Sequence, residues 1–158
     1  LSTQEQMAPY SIETGTLNHA SLAGVNAAIA FISSLGEGKS LRDRLATAFQ
    51  KIGMHEKRLA ELLYNEIGSM PNLRIIGPDF SQDKRAPTIS FVHDVLKPIE
   101  ICRKLAENNI TAWDGHFYAQ KAIEVLGLSE RGGVTRLGIS LYNNDNDIDK
   151  VVEVLKSI

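Results

Sequence analysis

The sequence predicts an α+β protein: a long linking helix, then a small, mostly antiparallel sheet with helices on one face. Two observations carry this expectation. Apolar residues recur at helical spacing from Leu41 to Ile67 with only Gly53 as an interruption. Beyond Pro71 the period changes, and short runs ("LRIIG", "TISFV", "ITAW", "GVTRLGISLY") alternate with helical segments and turn residues. A chain of 158 residues, 43% hydrophobic and 23% charged, has room for one domain, or one domain plus an arm, with a real core.

Residues 1–18 are polar and irregular, broken by Pro9 and Gly15, and read as an arm. From Ala20, the residues Leu22, Val25, Ile29, Ile32 and Leu35 mark a helix that Gly36 stops. Its small residues (Ala23, Gly24, Ala27, Ala28, Ala30) would let another element approach closely. Ser40, with Asp43 three positions on, is a capping box that opens the second helix. At about 28 residues and about 42 Å it is longer than a domain of this size needs internally, and Gly53 is a place for a bend. It reads as a strut between two bodies.

After the strut, 73–77 and 88–92 read as strands, and Pro98 opens a helix that ends at Asn108-Asn109. Residues 110–113 read as a short strand and 133–142 as a longer one. Asn144, with Asp147 at the third position, caps a last helix faced by Ile148, Val151, Val152 and Leu155.

Charge and composition exclude several functions. A net charge of −2 with scattered cations gives no electrostatic case for nucleic acid or an anionic membrane. The apolar stretch Leu22–Leu35 is too short and mild to span a bilayer, and the start lacks the pattern of a signal peptide. One cysteine, Cys102, excludes an intrachain disulfide and fits a reducing compartment, so a cytoplasmic location is expected. The first residue, Leu rather than Met, hints at a fragment. The four histidines have no metal-ligand spacing, so no metal site is expected; His55 and His93 are expected in surface or boundary roles. "LGEGKS" (35–40) lacks the earlier glycine of a phosphate loop, because Ser33 stands there. Asp145 and Asp147 are accounted for by capping and the helix dipole.

Three places hold candidate chemistry. In "VTRLGISL", alternation puts Thr135, Leu137, Ile139 and Leu141 on one face and Arg136, Gly138 and Ser140 on the other. The small neighbours leave space before the Arg136 guanidinium, whose planar fork suits a carboxylate or phosphate. An arginine on a solvated sheet face is the plainer alternative. Gly15-Thr16, just ahead of a helix, could meet a phosphate with backbone N–H groups and a hydroxyl, or simply serve as turn and cap. "GHFYAQK" (115–121) sets His116 and Tyr118 together.

Four segments, "ETGTLNHASLAGVNAAIAFISSLG", "RAPTISF", "GHFYAQ" and "TRLGISLYNNDNDIDKVVEVL", occur in the order and spacing found in the C-terminal part of pyridoxal-phosphate enzymes of aminotransferase class V. From about Glu13 to the end the chain resembles this family, cysteine desulfurases and selenocysteine lyase-like proteins above all. The resemblance implies a tail and helix of the large cofactor domain at 1–36, a linking helix at 37–70 and the C-terminal small α+β domain of fold-type I enzymes at 71–158. It implies pyridoxal 5'-phosphate in the full-length parent, an amino-acid substrate and a homodimer. Gly15 and Thr16 match the Gly-Thr pair whose threonine contacts the cofactor phosphate bound in the neighbouring subunit, and Arg136 matches the arginine that holds the substrate α-carboxylate. His116 and Tyr118 fall in the substrate loop, with Tyr118 where desulfurases carry their sulfur-accepting cysteine.

A phenol cannot replace a thiolate there, and Cys102 lies on the apolar face of a predicted helix. No His-Lys pair occurs, so the Schiff-base lysine is expected upstream, and the fragment is expected to be inactive alone. The other expectation is a stand-alone, non-catalytic α+β module for ligand binding or protein association.

Overall fold

The computed structural model describes residues 7–13, 15–81 and 85–158. These divide into two compact units, the first ending at Lys51 and the second running from Ile52 to Ile158.

In the first unit, helix α1 spans His19–Ser34, capped by the Asn18 side chain, which accepts from the Ser21 N–H at 3.0 Å. Helix α2 begins at Leu41 and runs on to Ser69. The expected capping box is present: Ser40 N–H donates to Asp43 Oδ2 at 3.0 Å and Asp43 N–H to Ser40 Oγ at 3.1 Å. Gly36 stands where the turn crosses α2, since a Cβ there would come within 1.9 Å of the Arg44 carbonyl oxygen. Only Ser33 of α1 is buried, and Leu22, Val25, Ile29 and Phe31 are exposed.

In the second unit, α2 continues unbroken through Gly53 and buries Leu59, Leu63 and Ile67. Strands β1 (Leu73–Ile76), β2 (Thr88–His93), β3 (Trp113–Gly115) and β4 (Val134–Gly138) form one sheet in the order β1-β2-β4-β3. Every pairing is antiparallel. Helices α3 (Pro98–Glu107) and α5 (Asp145–Lys156) complete one side. Ile89 and Phe91 of β2 and Leu137 of β4 point into a core shared with Ile101, Leu105 and Leu155. Each fully buried side chain of this size contributes about 1.5–3 kcal/mol. The α+β class and the antiparallel sheet therefore stand as the sequence indicates.

Several boundaries differ for local reasons. The strand expected at 110–113 is displaced to 113–115. Asn109 turns left-handed (φ 58) to end α3, and the Ile110 N–H returns to the Leu105 carbonyl at 3.0 Å, so pairing begins only at Trp113. β4 stops at Gly138 because the Ile139 N–H turns to the Pro87 carbonyl at 2.9 Å. A short helix α4 (Gln120–Val125) was not foreseen, as six residues are too few to show periodicity. Its Ile123, with Leu128, packs on Val92 and Val134 from the other side of the sheet.

His93 is not at a surface or boundary position. It is buried, and its Nδ1 accepts from the N–H groups of Val95 and Leu96, both at 3.0 Å, fixing the turn after β2. His55 keeps an ordinary role, with Nε2 2.8 Å from the Asn143 carbonyl oxygen.

Candidate functional site

Strand alternation decides where Arg136 points. Thr135 and Leu137 are buried on the α3 and α5 side, and Arg136 and Gly138 are exposed on the other. Across the ladder Arg136 is paired with Ser90 on one flank and Trp113 on the other, so all three share that face. Gly138, in register with Thr88, leaves the next row low.

The loop after β3 closes over this row. Gly115 has φ 121, and Phe117 and Tyr118 both adopt left-handed backbone, at φ 52 and 61. For non-glycine residues that conformation costs about 1–2 kcal/mol each, and it persists only where the surroundings enforce it. Three contacts enforce it here. His116 Nδ1 accepts from the Tyr118 N–H at 3.1 Å, and the Ala119 N–H donates to the His116 carbonyl at 2.7 Å. Phe117 packs against the small cluster of Val92, Ile123, Leu128 and Val134. At the base of the loop, Gly133 (φ 95) lies so close to Gly115 that a Cβ would sit 2.2 Å from its carbonyl oxygen.

The result is an open concavity lined by residues 113–118 and Arg136. The Arg136 guanidinium lies over the Phe117 ring, 3.9 Å from its centroid. No described residue hydrogen-bonds or ion-pairs with it, so its fork of donors is free. The Tyr118 ring is 100% exposed and Trp113 68% exposed, an uncommon condition for two large aromatics on one small surface.

Of the residues singled out in the sequence, the fold brings His116, Tyr118 and Arg136 to one concavity. Gly15 and Thr16 belong to the first unit, in the exposed segment ahead of α1, with open space around Gly15. Trp113 and Phe117 were missed. Trp113 was visible only as a strand residue, and placing it beside Arg136 takes the ladder register. Phe117 lies inside the motif already quoted, but its role depends on a left-handed backbone that the sequence does not announce.

Cys102 takes no part in the concavity. It is buried on α3, where burial first, and then the nearby Asp114 carboxylate, push its thiol up to about 11. At neutral pH it is a protonated, unreactive thiol. Among the described residues no lysine lines the concavity, and Lys121, the nearest in sequence, is turned to Glu124 at 3.2 Å. These residues fit an anionic substrate group; they do not make a complete pyridoxal-phosphate site, which needs an amine for the aldehyde. Among the described residues no cluster of three or more His, Cys, Asp or Glu could hold a metal, and no helix is long and apolar enough to cross a membrane.

The family model for aminotransferase class-V matches residues 2–151. A probable cysteine desulfurase of Staphylococcus epidermidis is 30% identical over 148 residues, covering 94% of this chain and 32% of that protein. An uncharacterized protein of Mycobacterium tuberculosis is 28% identical over 152 residues, covering 95% of this chain and 37% of its own length. Among solved structures, the cysteine desulfurase CsdA of Escherichia coli superposes with a TM-score of 0.73 at 24% identity, over 96% of this chain and 33% of that one. A cysteine desulfurase from Thermococcus onnurineus NA1 gives a TM-score of 0.77 at 21% identity, over 94% and 33%. At those identities the structural likeness speaks for the fold. The chain spans about a third of the length of these two curated relatives. Its sequence match, its small antiparallel sheet and its structural neighbours agree: the chain belongs to the aminotransferase class-V family and is cysteine desulfurase-like.

Proposed function

We propose that this chain is the substrate-carboxylate-recognising, C-terminal part of a pyridoxal 5'-phosphate-dependent enzyme acting on an amino acid. The observation that carries the reading is Arg136: an unpaired guanidinium, lying over the Phe117 ring and facing an open concavity on the sheet face it shares with Ser90 and Gly138. A free planar fork on a fixed platform is suited to bidentate capture of a carboxylate, and little side-chain freedom remains to be lost on binding. The cofactor, when bound, supplies electron withdrawal from the substrate's α-carbon. This chain's own residues orient the substrate. Arg136 fixes the carboxylate, while His116 and Tyr118 line the same concavity and limit what lies beside it. Gly15 and Thr16 would contribute a backbone and hydroxyl contact to the cofactor phosphate of a second subunit.

In the same reading, 1–36 belongs to a large cofactor domain, 37–70 is the linking helix and 71–158 is the small domain. That α1 is apolar yet exposed supports the first assignment, since such a helix needs cover. The parent enzyme is a cytoplasmic homodimer. Persulfide formation from cysteine is disfavoured, because Tyr118 presents a phenol and the single thiol is buried.

The test is Arg136→Ala in the full-length enzyme. Losing a charge-assisted bidentate contact should cost about 2–4 kcal/mol, which lowers kcat/KM by roughly 30- to 1,000-fold. Arg136→Lys should recover only part, lacking the planar fork. Unchanged kcat/KM in a folded Arg136→Ala enzyme would remove the assignment.

A further inference from the structure

We infer that the concavity selects amino acids with an aromatic or large apolar side chain, held between Trp113 and Tyr118 while Arg136 takes the carboxylate. The inference rests on the carboxylate reading of Arg136 and adds the substrate class. Trp113 is directly across the ladder from Arg136, which sets their Cβ atoms about 4.5–5.5 Å apart on one face. A carboxylate on the guanidinium therefore leaves the rest of the ligand beside the indole. Tyr118 lines the same concavity and is held there by a left-handed backbone that His116 stabilises through its Nδ1. Tyr118 is fully exposed, so strained backbone presents a large aromatic ring that the other described residues do not cover.

The chemistry of the lining supports the same class. Its polar side chains are Asp114, His116 and Arg136, with the Tyr118 hydroxyl, and Asp114 is near Cys102 of α3. Trp113, Phe117 and Tyr118 provide the remaining surface, and Phe117 is already covered by Arg136. A small or thiol-bearing side chain would leave both open rings wet. An aromatic one removes apolar area from water on two sides and stacks, which favours it over alanine by about tenfold or more.

The experiment uses a built-in reporter. Trp113 is the single tryptophan of the chain, so its emission, and the NMR signal of its indole N–H, report on this site alone. The chain is titrated with L-phenylalanine, L-alanine, L-cysteine and phenethylamine, the last an aromatic amine without a carboxylate. The inference expects saturable binding of phenylalanine, with alanine and cysteine weaker by about tenfold or more. Tyr118→Ala should shrink that preference to under about threefold without weakening alanine, because it removes one of two rings. Arg136→Gln should weaken phenylalanine and alanine alike. Alanine and cysteine binding as tightly as phenylalanine, with phenethylamine still weak, would overturn the aromatic class and leave the carboxylate reading standing. Phenethylamine binding as tightly as phenylalanine would overturn the carboxylate reading itself. No saturable response to phenylalanine up to about 50 mM would overturn the inference.

Discussion

The Phe117 ring is the floor on which the Arg136 guanidinium rests, 3.9 Å from centroid to carbon, and the same ring packs against Val92 and Val134. One side chain thus joins the cation that faces the concavity to the small cluster behind it. Phe117→Leu keeps apolar volume for the cluster and removes the π face. An exposed cation–π contact is worth about 0.5–1 kcal/mol, so the full-length enzyme should lose about two- to fivefold in kcat/KM. The Arg136 side-chain NMR signals should at the same time lose their ring-current shift. A shift that persists in Phe117→Leu would show that the contact does not form in solution.

Gly133 is where the loop base tolerates no side chain. Its φ of 95 and the 2.2 Å approach of a Cβ to the Gly115 carbonyl oxygen act together. Gly133→Ala should destabilise the protein by more than about 2 kcal/mol in urea unfolding. Gly127→Ala provides the contrast, because φ is 68 there but nothing lies within 4 Å, so only the backbone cost of about 1 kcal/mol applies. Equal losses for the two variants would mean that the Gly115 contact contributes nothing.

Cys102 should be nearly inert toward thiol reagents in the native protein. With its thiol pushed up to about 11 by burial and Asp114, the thiolate fraction at pH 8 is about 100-fold below that of an ordinary cysteine. Labelling should be slower by about that factor than in the urea-unfolded chain. The folded value is raised, so the associated stability is fully present below the unfolded thiol value and is lost as pH rises toward about 11. Asp114→Asn should speed labelling. Native labelling as fast as unfolded labelling would contradict the buried placement.

At the far side of the second unit, Arg58 grips Asp145 with both terminal nitrogens, at 2.7 and 2.9 Å, tying α2 to the first turn of α5. That contact, first among the causes, holds the Asp145 carboxyl below the usual carboxylate range. A depressed value contributes stability above the unfolded carboxylate value and loses it as pH falls through the folded one. Arg58→Ala should therefore be less stable than the parent chain at neutral pH and converge with it in acid. The Asp145 carboxyl titration should move upward. A gap that widens toward low pH would contradict this.

Local signals made part of the fold legible. Ser40 with Asp43, and Asn144 with Asp147, announce helix starts through side chains that answer the first free N–H groups, and both pairs do so. Alternation around Arg136 is equally local: Thr135, Leu137 and Ile139 are buried and Arg136 and Gly138 exposed, as the period of two requires. What escaped depends on long-range pairing. β3 begins at Trp113 because its partner, Arg136, is 23 positions further on. His93, the last residue of β2, is buried and satisfies the N–H groups of the turn that follows, which its place in the sequence does not reveal. The left-handed pair Phe117 and Tyr118 contravenes the preference of both residues, and this is the segment that shapes the concavity.

The strand order β1-β2-β4-β3 has a consequence for synthesis on the ribosome. The strand that joins the sheet in its middle, Val134–Gly138, emerges last, and Trp113–Gly115 has no partner until it does. A nascent chain that has reached Gly133 holds a hairpin of β1 and β2 whose β2 edge, covered in the finished sheet, is still open, a template for pairing with other chains. Arg136 arrives on the strand that closes that edge, in register with Ser90 and Trp113. Completing the sheet and assembling the concavity are therefore one event, so a chain stalled before Val134 leaves the β2 edge open and the concavity unformed.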